Sequence, residues 1–272
     1  MYKTSSLIAV CLALFYVTAN ATGVSVDQLS RINSFAIIDI EGEQYIAATD
    51  RGLFHSDDHG HTWVPYPGLE LPATLVTTTP QGTVYAFMVT KGLLQLNLKT
   101  NQWQQVNNEF GSQFLRQLST TSWTPSRLVA LNQYGKFIVS DNYGSDWNRI
   151  EGPYKASNDE EKRGRTLYRE KCLACHGKDG NGENYSVESL TNKDYIMAPA
   201  LDASAHAWHH TDEALEKIIL EGSTRTERMA AWKNVGISES DAHDLVVYIK
   251  SLWTQRELEC QGPKHMQCPI SI

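Results

Sequence analysis

Tryptophans at positions 63, 103 and 147 recur at intervals of 40 and 44 residues, and each closes the same series of short apolar segments. Tyr45-Ile46-Ala47-Ala48, Val84-Tyr85-Ala86-Phe87 and Leu128-Val129-Ala130-Leu131 are each followed by a polar turn carrying Gly52, Gly92 or Gly135. An apolar pair comes next (Leu53-Phe54, Leu93-Leu94 or Phe137-Ile138), then a second turn, then the tryptophan. The pattern is not helical, and its period is that of a four-stranded propeller blade. Three recognisable blades are therefore expected within 22–152. Closed propellers typically need about four to eight blades. An open array leaves sheet faces and edges bare, so the β domain is expected to form a homo-oligomer or to be completed by a partner chain.

Two of the second turns are more specific. Ser56-Asp57-Asp58-His59-Gly60-His61-Thr62-Trp63 resembles the Asp-box of sialidase-type propellers at every defined position. Ser140-Asp141-Asn142-Tyr143-Gly144-Ser145-Asp146-Trp147 keeps Ser, Gly and Trp but has Asn142 and Asp146 where Asp and Thr are usual, and the middle repeat has lost the motif. The box is a hairpin device: short polar side chains bond the turn backbone, glycine takes a special conformation, and tryptophan packs between sheets. It does not by itself imply glycosidase chemistry.

The second decisive feature is Cys172-Leu173-Ala174-Cys175-His176. Two thiols three residues apart, followed at once by an imidazole, form the attachment pattern of a c-type haem. One helical turn places both sulfurs for thioether bonds, and His176 is then the proximal iron ligand. A redox pair would follow a strand, and a zinc pair would need two further ligands. The charged amphipathic stretch Glu160–Lys171 ahead of the motif suits neither.

The N-terminus carries Lys3, an apolar run over 7–17 and Ala19-Asn20-Ala21, which is the layout of a secretory signal peptide over 1–21. The run is short for a bilayer span, so after cleavage no membrane span is expected and the protein is placed in the periplasm. Of five cysteines, Cys11 leaves with the signal and Cys172 and Cys175 take the haem. Cys260 and Cys268 remain, most simply as a disulfide in an oxidising compartment. Closing so short a loop contributes about 2.5 kcal/mol by chain entropy. The alternative for Cys260-Gln261-Gly262-Pro263-Lys264-His265-Met266-Gln267-Cys268 is copper, whose favoured ligand types it contains. A net charge of −7 without blocks of like charge argues against nucleic acid as a partner.

After a linker at 153–158, residues 159–256 resemble class I bacterial cytochromes c, followed by a tail at 257–272. Gly164 and Tyr168 stand at the small and aromatic places of the family's N-terminal helix. Ala198-Pro199-Ala200-Leu201 resembles the segment whose proline carbonyl accepts a hydrogen bond from the proximal histidine. Arg228-Met229-Ala230-Ala231-Trp232 resembles the loop that supplies the distal methionine, with Ala230 in place of proline. The resemblance thus implies Met229 as the distal iron ligand, with Met197 and the cluster His206, His209 and His210 as competitors. That cluster could also hold copper or make docking pH-sensitive.

The fold class expected is therefore multidomain: an all-β propeller-like repeat domain, then an all-α class I cytochrome c domain. Axial His and Met leave no open position on the iron. The resemblance implies one covalent haem c and one-electron transfer, with a dehydrogenase or quinol-oxidising complex as donor and an oxidase or reductase as acceptor. Two further readings stay open: a haem- or copper-containing oxidoreductase subunit with its substrate site in or near the β domain, and a redox- or ligand-sensing module.

Overall fold

The computed structural model describes residues 23–39, 42–150 and 154–268. The expected signal segment and the first linker residue, 153, lie outside these. Three four-stranded antiparallel sheets occupy the N-terminal half. Sheet 1 is β1 (Ile32–Asp39), β2 (Glu43–Thr49), β3 (Gly52–Ser56) and β4 (Val64–Pro65). Sheet 2 is β5 (Ala73–Thr78), β6 (Val84–Met88), β7 (Gly92–Asn97) and β8 (Gln102–Asn107), and sheet 3 is β9 (Leu115–Ser119), β10 (Leu128–Asn132), β11 (Phe137–Ser140) and β12 (Asn148–Arg149). Each is a meander in chain order. β1 packs beside β5 and β5 beside β9, which brings the inner strands of successive blades round a common axis.

Burial follows from that stacking. Val84, Ala86 and Met88 of β6 face sheet 1, whereas Tyr85 and Phe87 face sheet 3, so all five residues are buried. Trp103 packs back onto Tyr66 of sheet 1, with ring centroids 5.7 Å apart, and Trp147 packs back into the cluster it shares with sheet 2. Trp63 points the same way but among the described residues has no preceding sheet; Val24 and Leu29 cover it together with Tyr45. On that outer face Phe35 pairs with Ala47 and Ile37 with Tyr45, and Phe35 and Ile37 stay 68% and 46% exposed.

Both Asp-box hairpins close through the same bonds. Gly60 and Gly144 donate their N–H groups to Ser56 Oγ and Ser140 Oγ at 2.9 and 2.8 Å, and Trp63 and Trp147 donate Nε1–H to the Gly60 and Gly144 carbonyls. In the first box Thr62 donates its hydroxyl to Asp58 at 2.6 Å; in the second Asn142 Nδ2 donates to Asp146 at 2.7 Å. The donor and acceptor have changed places, which preserves the hairpin despite the two altered residues.

The C-terminal half is helical: α1 (Asp159–Lys171), α2 (Leu173–His176), α3 (Val187–Thr191), α4 (Asp212–Glu221), α5 (Glu239–Ser251) and α6 (Gln255–Glu259). Asn158, Thr211 and Ser238 cap α1, α4 and α5 through side-chain oxygens. α1 crosses α5 closely at Gly164, and the core gathers Tyr168, Leu215, Ile219, Leu245, Tyr248, Ile249 and Trp253. Among the described residues no helix is long and apolar enough to cross a membrane.

Candidate haem site

α1 delivers the chain to the two thiols. The Cys172 N–H still bonds the Tyr168 carbonyl at 2.8 Å, and the His176 N–H then bonds the Cys172 carbonyl at 2.8 Å, so α2 is one tight turn with Cys172, Cys175 and His176 on it. Both thiols are free, Cys175 exposed and Cys172 half-buried against the helical core. Burial pushes the Cys172 thiol up to about 11.

His176 is buried, and its Nδ1 lies 2.8 Å from the Pro199 carbonyl oxygen. A carbonyl can only accept, so Nδ1 carries the proton and Nε2 keeps its lone pair. Burial pulls the ring below the ordinary histidine value, against the opposing effect of the Pro199 bond. A neutral, oriented imidazole directly after two unpaired thiols spaced one turn apart is the donor set that a c-type haem requires. The residues present therefore fit that group.

Met229 is half-buried on the loop between α4 and α5. Gly222, at φ +83°, turns the chain there, and the Ser223 N–H bonds the Met229 carbonyl at 2.9 Å. Met197 is half-buried two residues before Pro199.

The competing histidines lie with the tail. Cys260 and Cys268 are joined by a disulfide, and His265 inside that loop stacks on His209 with centroids 4.2 Å apart and planes 11° apart. His206 stands 6.3 Å from His209 and 5.9 Å from His210. Among the described residues no group of three or more His, Cys, Asp or Glu is disposed to hold a metal ion. Gln261 Nε2 ties the tail to the His210 carbonyl and to Asp212, and Arg256 lies over Trp208.

Burial first, then the neighbouring imidazoles, lower His209 and His210 below the ordinary 6.5. As pH falls, the unfolded chain takes up these protons before the folded one does, so the contribution to stability is intact above about 6.5 and is lost as pH falls through the folded values. Amide protection of residues 255–268, measured by hydrogen exchange, should accordingly decline between about pH 7.5 and 5. Protection that stays level or rises on acidification would remove the His209–His265 stack as the clasp of the tail.

Sequence reasoning missed the contact between the two halves. The connection Glu109–Gln113, between β8 and β9, lies across the loop that follows His176, and Lys178 Nζ reaches the Trp147 carbonyl at 3.1 Å. No periodicity marks such a contact.

Residues 159–249 match the protein family described as cytochrome C oxidase, cbb3-type, subunit III. That span is a cytochrome c domain, and the sheets ahead of it form a propeller-like array. No curated protein matches the chain. Among solved structures the chain is similar to YCF48 from Cyanidioschyzon merolae at 17% identity, with a TM-score of 0.34 over 43% of this chain and 39% of that one. A structure described as YCF48 bound to D1 peptide is 13% identical, with a TM-score of 0.35 over 44% of this chain and 40% of that one. The extracellular domain of the hybrid two component system BT3049 of B. thetaiotaomicron is 13% identical, with a TM-score of 0.37 over 49% and 19%. The chain thus spans at most about two fifths of the length of these structures.

Proposed function

We propose that this protein is a periplasmic c-type cytochrome that passes single electrons through one haem bound covalently to Cys172 and Cys175, with His176 and Met229 as axial ligands. The cytochrome c domain supports a haem-based electron-transfer role in itself. The observation that carries the finer reading is the buried neutral His176, oriented by Pro199, directly after two unpaired thiols on one turn. When bound, the haem would supply a ferric–ferrous couple and little other chemistry, because His176 and Met229 would both hold the iron. The protein's part is to hold the two ligands still and to present the site to redox partners: a dehydrogenase or quinol-oxidising complex as donor, an oxidase or reductase as acceptor.

The β domain is a docking or assembly module in this reading. The outer face of sheet 1, where Phe35 and Ile37 lie bare, is the place where a second copy or a partner chain would continue the array. The purified protein should keep its haem through denaturation in acid and organic solvent, show a six-coordinate reduced spectrum indifferent to carbon monoxide, and scatter light as more than one chain. Haem extracted by the solvent would sink covalent attachment, a carbon-monoxide adduct would favour the sensing reading, and a monomer at all concentrations would remove the assembly role.

A further inference from the structure

The loop from Gly177 to Asn184 is the place where the two halves of the molecule and both candidate axial ligands meet. On its β side, Asn181 Nδ2 donates to the Glu109 carbonyl at 3.0 Å, and the Ser112 N–H and hydroxyl both donate to the Asn181 carbonyl at 3.0 Å. The Gly111 N–H donates to Asn184 Oδ1 at 2.7 Å. Gly111 sits at φ +58°, and a Cβ there would stand 2.4 Å from the Asn181 carbonyl oxygen, so the two backbones approach as closely as atoms allow. Gln113 Nε2 reaches Asp202 at 3.1 Å, and the Asp202 N–H bonds the Gly180 carbonyl at 3.1 Å.

This strap is rigid on its own side. Phe110 packs between Phe87 and Trp147, with centroids 4.9 and 5.8 Å away. Gln133 holds the Ser112 carbonyl and the Phe114 N–H, and Asn132 donates to Gln113 Oε1 at 2.8 Å.

From the braced loop, bonds run to the His176 backbone and to Arg228, the residue before Met229. The Gly182 N–H donates to the His176 carbonyl at 2.7 Å. Glu183 accepts the Ala198 N–H at 2.8 Å, next to Pro199, and takes both ends of the Arg228 guanidinium at 2.7 and 3.0 Å. Arg228 also donates to the Ile196 carbonyl at 2.7 Å and lies over the Tyr195 ring, 4.5 Å from its centroid. A bidentate guanidinium–carboxylate pair is directional, so it fixes the backbone at Arg228 and hence at Met229.

Resting on the axial assignment above, we propose that Gln113, Glu183 and Arg228 are positioning residues for the haem ligands, and that the β-domain strap Glu109–Gln113 is a structural part of the haem site. The propeller-like half then does more than dock: strain applied to it reaches the iron's ligands through residues 177–184.

The test uses the full-length, haem-loaded protein carrying Gln113→Leu, Gly111→Ala or Arg228→Gln. Each is read by melting temperature, hydrogen exchange at Gly182, the ferrous-to-ferric ratio at one fixed ambient potential, and carbon monoxide binding. Gln113→Leu and Arg228→Gln should keep the fold; Arg228→Gln should shift the ratio roughly threefold towards ferric, since a loosened thioether favours ferrous iron less, and Gln113→Leu roughly threefold towards ferrous, since a loosened imidazole favours ferric iron less. Gln113→Leu should also speed exchange at Gly182, and Arg228→Gln should admit carbon monoxide. Native ratios and exchange in Gln113→Leu would overturn the role of the strap, whether or not Gly111→Ala folds. A native ratio in Arg228→Gln would overturn the Glu183–Arg228 latch. The underlying ligand assignment fails separately, through an unchanged spectrum in Met229→Ala.

Discussion

On the proposed ligation by Met229, replacing it by Ala should leave the haem attached and open one position on the iron. The proposed attachment through Cys172 and Cys175 does not involve this side chain, so retention of the haem is expected. The reduced variant should bind carbon monoxide, which the parent protein should not. Its potential should fall by on the order of 0.1 V, a fraction of the roughly 0.8 V that axial ligation spans, because a thioether stabilises ferrous iron and water does not. The direction follows from ligand softness, whereas the size depends on how far water enters. The loop itself should survive, since its turn at Gly222 and the Ser223–Met229 backbone bond do not involve the lost side chain. Optical spectra and a redox titration read the outcome. Spectra identical to those of the parent would reassign the ligand, and Met197 and the histidines 206, 209 and 210 would be tested next.

Gly164→Ala should destabilise the cytochrome domain by about 1–2 kcal/mol. Two effects oppose each other. Alanine in a helix interior is favoured over glycine by about 1 kcal/mol. A Cβ at Gly164, however, would stand 1.9 Å from the Asp244 carbonyl oxygen and 3.0 Å from Tyr248 Cβ. The nearest atom is backbone of α5, which cannot turn aside as a side chain can. The helices must separate, and overpacking of this kind costs about 1–3 kcal/mol and occasionally more. Separation also strains the Arg163–Asp244 ion pair, at 2.6 and 2.9 Å, in which the Asp244 carboxylate is buried. The clash therefore outweighs the gain in propensity. Denaturant melts followed by circular dichroism measure it, and a variant as stable as the parent would mean that α1 and α5 slide apart at little cost.

The repeat was legible because a blade is a local object. Each sheet is a meander whose strands pair with their sequence neighbours, and the Asp-box hairpins close through bonds spanning at most four residues. Short-range bonds of that kind leave a period in the sequence. The helical half was legible for a related reason: the caps Asn158, Thr211 and Ser238 and the apolar spacing of α4 and α5 are each read within a few residues. The left-handed residues His59 and Tyr143, with φ of +58° and +59°, escaped notice because glycine marks only the position after each.

What the sequence by itself determined, then, is a three-blade β array joined to a cytochrome c domain. Periodicity and capping are printed residue by residue, and the resemblance of 159–256 supplied the rest. Only the tertiary structure decided how the halves are joined. Gln113 meets Asp202 across 89 residues, and Gly111 meets Asn184 across 73. These are single polar contacts and close backbone approaches rather than faces of a repeating element. They have no period and no composition, and they arise only once the two halves have been brought together in space.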